Sequence, residues 1–129
     1  MPRRPIQRPG PAHPIGITRN PARVVVQAGG RRIADSGKVL TLREANLAPV
    51  HYFPREDVDM DALVRSDLRT WCPYKGEAAH FGIQGTGTRG ANAAWSYEEP
   101  HEAAAAIKGR IAFYPDRVDC LDEWEASAG

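Results

Sequence analysis

The first half of the chain alternates between apolar and polar positions with the short period of β-strands. The stretch ARVVVQA is rich in β-branched residues, a Gly29-Gly30 turn follows it, and RRIADS is typical of the returning strand of a hairpin. In the next stretch, KVLTLRE, one face of the strand carries Leu40, Leu42 and Glu44. If this is the core face, Glu44 is carried inward, where a carboxylate is costly unless another group pairs with it.

The second half mixes further strands with two short helices. Strands are indicated by APVHYFPRED, AAHFGIQ, AAWSYE and GRIAFYP, and helices by DVDMDALVRS and by HEAAAAIK. The pattern predicts a single compact, mainly antiparallel β domain, either a small open barrel or two packed sheets, with one or two short helices. We place this domain at residues 13–120, between a flexible Pro/Arg-rich tail at 1–12 and a C-terminal tail at 121–129.

Charge and composition narrow the possible partners. The 129 residues include 17 basic and 16 acidic ones, a net charge of +1, which gives no electrostatic case for nucleic acid. The start, MPRRPIQRPG, has no apolar run, so we expect no signal sequence and no membrane association. A loose tail is the simpler interpretation of it, and a short arm for nucleic acid or a partner is the alternative. We expect a cytoplasmic protein, and the sequence does not indicate its oligomeric state.

Motifs for metals and cofactors are incomplete. The two cysteines and four histidines lack the paired spacing of zinc ligands. GTGTRG matches the dinucleotide fingerprint in letters, but the following ANAAWSYEEP is typical of a strand, so we interpret the glycines as a hairpin loop. The acids of DVDMD are explained by helix capping and by the helix dipole. We therefore predict no metal and no cofactor.

The stretch RTWCPYKGEAAHF contains a candidate nucleophile. Cys72 would need a lowered pKa, and Lys75, brought back by a turn at Pro73, is a possible cause. A base would also be needed, and His51 or His80 could serve only if the fold brings one of them near. The alternative is a buried thiol that packs beside a turn, as free cysteines commonly do.

A second candidate site combines side chains from or just beyond several predicted strands. Aromatic walls with a few convergent charges are typical of a small-molecule pocket. The proposed members are Glu44, Tyr52, Arg55, Lys75, Trp95 and Tyr97. Arg55 and Lys75 would bind a small anionic ligand, with Trp95 and Tyr97 as walls and Glu44 or Tyr52 in proton transfer. An ordinary core with a salt bridge at its rim is the structural alternative, and a protein-interaction module is the functional one.

Several motifs together carry a resemblance to a known family. In chain order they are HPI, ADS, PVHYFPREDV, CPYKGEA, AWSYEEP and GRIAFYP. With them the chain resembles the bacterial and fungal family of unknown function numbered 427, sometimes labelled nucleotidyltransferase-like. The resemblance runs from about His13 to Asp119 and implies a single β-rich domain with no settled reaction. The label itself gains no support, because the Gly-Ser turn and acid spacing of a nucleotidyltransferase are missing.

Overall fold

The computed structural model describes residues 6–124, which form ten strands and four short 3₁₀ helices. The strands are β1 (Ile15–Arg19), β2 (Arg23–Ala28), β3 (Arg31–Ser36), β4 (Leu40–Glu44), β5 (Val50–Tyr52), β6 (Leu63–Cys72), β7 (Gly76–Ile83), β8 (Ala94–Ser96), β9 (Ala112–Phe113) and β10 (Cys120–Trp124). The 3₁₀ helices are Arg55–Asp57, Met60–Ala62, Glu102–Ile107 and Pro115–Arg117.

These strands make three antiparallel sheets. The strand orders are β1-β4-β5, β10-β2-β3 and β6-β7-β8-β9, and each pair of neighbours is antiparallel. The predicted class, a mainly antiparallel β domain with short helical segments, is therefore confirmed. Its strands divide among three sheets.

The first hairpin forms where the sequence predicts it. Gly29 and Gly30 take φ angles of 61° and 73° between β2 and β3, a left-handed conformation that glycine adopts at little cost. In β4 the alternation is also as predicted, because Leu42 pairs with Ile17 and Glu44 pairs with Ile15 on neighbouring β1. Glu44 is only 6% exposed, so the prediction that it is carried inward is confirmed.

Two hydrophobic clusters lie on opposite faces of the β6-β7-β8-β9 sheet. Ala79 and Phe81 of β7 face the larger cluster, whereas Ala78, the residue before Ala79, faces the smaller one. The larger cluster packs against the β2-β3 hairpin. The smaller cluster packs against the β1-β4-β5 sheet and the helix Glu102–Ile107, and it has these buried members: Leu42, Tyr52, Ala78, Tyr97, Ala104, Ile107 and Ala112.

The helix predicted at DVDMDALVRS is wrong. Asp57 ends the short turn Arg55–Asp57, Val58 forms an isolated bridge with Ala34, and Met60–Ala62 is a single 3₁₀ turn. The strand β6 then begins at Leu63, opposite Ile83. Tertiary pairing with β7 overrides the helical spacing of these apolar residues. The second helix is confirmed as the 3₁₀ segment Glu102–Ile107.

The pattern misses three strands, and the tails need a correction. β1 lies on the edge of its sheet, and both β1 and β6 are largely exposed, so neither shows an apolar face. The strand β10 pairs with β2 and takes up 121–124 of the predicted C-terminal tail. The predicted N-terminal tail is described from Ile6 onward, where the Gln7 backbone N–H donates to the Pro73 carbonyl over 2.9 Å. Residues 1–5 and 125–129 of the predicted tails lie outside the described residues.

Candidate functional site

The turn from Cys72 to Gly76, which joins β6 to β7, is a meeting point for distant parts of the chain. Its Pro73 carbonyl accepts hydrogen bonds from the Gln7 backbone N–H and from His101 Nδ1 over 3.2 Å. The His101 backbone N–H donates to the Lys75 carbonyl over 2.9 Å. Gly76 has a φ of 110°, and a Cβ there would lie 3.4 Å from the Glu99 carbonyl oxygen, so the turn depends on glycine.

Glu44, Lys75 and His13 form a buried charged cluster beside this turn. Lys75 Nζ donates to Glu44 Oε1 and His13 Nε2 to Glu44 Oε2, each over 2.6 Å. The side chains of Glu44 and Lys75 are 7% and 12% exposed, and that of His13 is 27% exposed. Burial alone would raise the pKa of the Glu44 carboxyl, but the hydrogen bonds from Lys75 and His13 outweigh it and the pKa is lowered. Glu44 is therefore ionised at neutral pH.

Aromatic rings surround this cluster. The Lys75 ammonium lies 5.5 Å from the ring centroid of Tyr97, and Trp95 Nε1 donates to the Tyr52 hydroxyl over 3.3 Å. Tyr52 has no exposed surface, and burial raises the pKa of its hydroxyl well above the ordinary value. The structure thus groups five of the six proposed pocket residues around the smaller hydrophobic cluster: Glu44, Lys75, Tyr52, Trp95 and Tyr97.

Arg55 is not brought to this group. Along β8 and the residues that follow it, Trp95 and Tyr97 face the smaller cluster while Ser96 faces the opposite side. Arg55 lies on the Ser96 side, where it donates to the Ser96 hydroxyl over 3.3 Å and to Glu98 over 2.6 Å. Hydrogen bonds from Arg65 and Arg55 lower the pKa of Glu98 to about 2. Arg55 and Lys75 are therefore separated because they contact side chains on opposite faces of this strand. The sequence does not reveal which face each of them meets.

Cys72 packs against the smaller cluster as a half-buried thiol. The ammonium of Lys75 is engaged by Glu44. His51 is directed away, since it bonds to Thr41 over 2.9 Å and pairs with Glu123. His80 stands four positions along β7 from Gly76, the partner of Cys72, or about 13 Å at ordinary strand rise. Neither proposed base therefore lies beside the sulfur.

A cleft of about 510 Å³ opens next to the turn. We call it the 6–9 cleft, because the N-terminal segment 6–9 forms one side and the turn with the start of the Glu102–Ile107 helix forms the other. Its lining residues are Ile6, Gln7, Arg8, Pro9, Tyr74, His101, Glu102 and Ala103. The Tyr74 ring also stacks on His13, with ring centroids 3.9 Å apart and planes 8° apart, so the charged cluster supports this wall of the cleft.

The cleft is built from residues that the sequence reasoning did not select. It is not lined by any of the candidates Glu44, Tyr52, Cys72 and Lys75. Two signals were available: His13 opens the HPI motif and Tyr74 is the centre of CPYKG. Arg8 stood out only as part of the basic start MPRRPIQRPG, and no local pattern pointed to His101, because only the fold brings segment 6–9 to the residues after Pro100.

Within residues 6–124, no group of three or more His, Cys, Asp or Glu side chains is placed to hold a metal ion. Of the acids in DVDMD, Asp57 accepts from the Ser36 hydroxyl over 2.6 Å and Asp59 pairs with Arg31 over 3.2 Å. None of the helices between residues 6 and 124 is long and apolar enough to cross a membrane.

Comparison with known proteins identifies a family. Residues 16–123 match the family described as Domain of unknown function (DUF427), which confirms the resemblance seen in the motifs. The match covers most of the chain, from β1 to β10. No curated protein matches the chain.

Proposed function

We propose that this chain, which belongs to the DUF427 family, binds a small anionic molecule in the 6–9 cleft. The observation that carries the proposal is a guanidinium with no partner among the described residues, beside a fixed aromatic wall. Arg8 lines the cleft together with Tyr74, and its guanidinium makes no ion pair or hydrogen bond within residues 6–124. A guanidinium of this kind is suited to a carboxylate or phosphate.

The size and lining of the cleft fit a small molecule. Its volume of about 510 Å³ falls in the range of roughly 300–1,000 Å³ that is usual for ligand sites. Ile6, Pro9 and Ala103 supply apolar surface, and Gln7 supplies an amide donor near Arg8. Glu102 also lines the cleft, so a ligand with a hydroxyl or amino group besides its anionic group would satisfy both charges.

The buried charged cluster supports this proposal by fixing the wall. Tyr74 cannot move freely, because one face of its ring stacks on His13 and His13 is held by Glu44. Glu44 is held in turn by Lys75 in the same turn as Tyr74. Such a closed set of contacts keeps the wall in place before the ligand arrives, which lowers the entropic cost of binding. In this account Glu44 and Lys75 are positioning residues.

A second candidate function is proton transfer by His13. The observation that favours it is the hydrogen bond from His13 Nε2 to the Glu44 carboxylate. A carboxylate bonded in this way orients an imidazole, which is how many general bases are held in place. The Nδ1 atom of His13 forms no hydrogen bond within residues 6–124, so it is the nitrogen that would exchange a proton with a ligand.

Thermal unfolding with matched ligands tests the binding proposal. 4-Hydroxybenzoate carries an anion and a ring, and its neutral amide differs only in the charged group. At ten times its Kd the carboxylate should stabilise the protein by about 1.4 kcal/mol, whereas the amide should stabilise it less. Arg8→Gln should abolish the difference, and the matched control Arg19→Gln, on exposed β1, should retain it. Equal effects of the two ligands, or an unchanged difference in Arg8→Gln, would contradict the proposal.

A further inference from the structure

Another cavity lies where Arg55 meets the residues that follow the helix Glu102–Ile107. It has a volume of about 380 Å³ and is lined by Pro54, Arg55, Glu56, Lys108, Gly109 and Arg110. We call it the 108–110 cavity. We propose that it binds the phosphate group of a small phosphorylated molecule, independently of the ligand proposed for the 6–9 cleft.

Three cations converge at this cavity because of one contact. Arg55 Nε donates to the carbonyl of Gly109, and Gly109 stands between Lys108 and Arg110 in the chain. The cations therefore come from two distant segments, 54 residues apart, which meet at a single carbonyl. Basic side chains that the fold brings together from separate segments are typical of an anion site. A run of basic residues adjacent in sequence would lie together without any tertiary contact.

Both guanidinium groups at the cavity are held in place before any ligand arrives. Arg55 is anchored by Gly109 and by Glu98, at 2.6 Å from the carboxylate. Arg110 NH1 donates to the Lys38 carbonyl over 2.9 Å. Fixing these long side chains removes part of the entropy that they would lose on binding.

Donors remain available after these internal contacts. Arg55 NH1, Arg110 Nε and NH2, and Lys108 Nζ make no hydrogen bond or ion pair within residues 6–124. A phosphate presents several acceptor oxygens and up to two negative charges, so it matches this set better than a single carboxylate.

The charge balance at the cavity also favours a dianion. Arg55, Lys108 and Arg110 contribute three positive charges, and among the lining residues only Glu56 is acidic, which leaves two positive charges. Glu98 is not a lining residue, and it also binds Arg65 over 2.8 Å, so its charge is shared between two arginines. A bound phosphate dianion would offset the mutual repulsion of the three cations.

Thermal unfolding in phosphate and in chloride, at equal ionic strength, tests this site. Phosphate should raise the melting temperature by several degrees more than chloride does. Arg110→Gln and Lys108→Gln should each remove most of that excess, and Lys108 is exposed, so its variant is expected to fold normally. The matched control Arg19→Gln, on exposed β1, should keep the excess. An excess that is unchanged in both cavity variants, or that Arg19→Gln removes as well, would overturn the proposal.

The same assay identifies the kind of phosphate ligand. Glycerol 3-phosphate should raise the melting temperature of the wild-type protein at least as much as inorganic phosphate does. Arg110→Gln should reduce both increases to the same extent. Stabilisation by a short single-stranded oligonucleotide, with none by glycerol 3-phosphate, would overturn the assignment to a small molecule. Arg110→Gln does not alter the 6–9 cleft. The phosphate proposal and the 4-hydroxybenzoate proposal can therefore be contradicted independently of each other.

Discussion

Lys75 Nζ lies 2.6 Å from Glu44 Oε1, and this contact joins two sheets across 31 residues of sequence. Glu44 is the last residue of β4 in the first sheet, whereas Lys75 is in the turn between two strands of the third. The pair fixes the turn against the β1-β4-β5 sheet and supports the wall of the 6–9 cleft through His13 and Tyr74.

Replacing one partner of the buried pair should be costly. Among the described residues, Lys75→Met leaves the Glu44 carboxylate, at 7% exposure, with His13 as its one remaining partner. We expect a loss of about 3–5 kcal/mol in the free energy of unfolding. The double variant Glu44→Gln/Lys75→Met should recover part of this loss, because no buried charge is left uncompensated. Urea unfolding measures both. A double variant that is no more stable than Lys75→Met would show that the loss is one of packing.

Gly76→Ala should destabilise the turn by about 1–3 kcal/mol. The φ of 110° is unfavourable for a residue with a Cβ, and the added methyl would press on the Glu99 carbonyl and on His101 at 3.4 Å. Gly16→Ala is the matched control, because its Cβ would meet nothing within 4 Å and its φ is ordinary. Urea unfolding should show a clear loss for the first variant and a change within about 0.5 kcal/mol for the second. Similar losses in both would contradict the role given to the turn.

Stability should fall as the pH drops below about 6.5, partly because of His80. Burial, helped by the positive charge of Arg69, lowers the pKa of this imidazole in the folded protein, where its side chain is nearly inaccessible. Between the folded pKa and the unfolded value of about 6.5, the unfolded chain binds the extra proton, so stability is lost as the pH falls through this window. His80→Gln should reduce the slope of stability against pH. His51, whose pKa burial also lowers, should contribute a second part of it. A wild-type stability that is flat from pH 7.5 to pH 5.5 would contradict this.

Cys72→Ala should affect stability and leave ligand binding intact. The thiol packs against the smaller hydrophobic cluster, and its removal should cost about 1 kcal/mol. Neither His51 nor His80 is beside it, and it does not line the 6–9 cleft. Binding of 4-hydroxybenzoate to the variant, measured by calorimetry, should match that of the wild-type protein. Lost binding, together with fast alkylation of Cys72 in the folded wild type, would instead favour thiol chemistry.

The parts of the fold that follow from local pattern could be predicted from the sequence. The Gly29-Gly30 hairpin and the inward face of β4 depend on turn chemistry and on alternation, and both are visible in a few neighbouring residues. The region after Val58 could not be predicted in the same way. Its apolar spacing suits a helix, and only pairing of β6 with β7 makes it a strand.

The candidate site likewise has a part that could be predicted from the sequence and a part that could not. Glu44 and Lys75 could be selected because a carboxylate carried inward requires a cationic partner. Arg55 could not be placed, since the face of β8 that it meets depends on a register fixed by β7 and β9. Arg8 and His101 become neighbours of Tyr74 only through the tertiary fold, and no sequence pattern reveals that.

The most direct test of the central proposal is an NMR titration of the isotope-labelled protein with 4-hydroxybenzoate. We predict saturable shifts of the backbone amide resonances of Gln7, Arg8, Tyr74 and Ala103, with small or no changes around Arg110. The shifts should be lost in Arg8→Gln and retained in Arg19→Gln. Saturable shifts confined to residues far from segment 6–9 and the turn, or no saturable shift at all, would contradict an anion site in the 6–9 cleft.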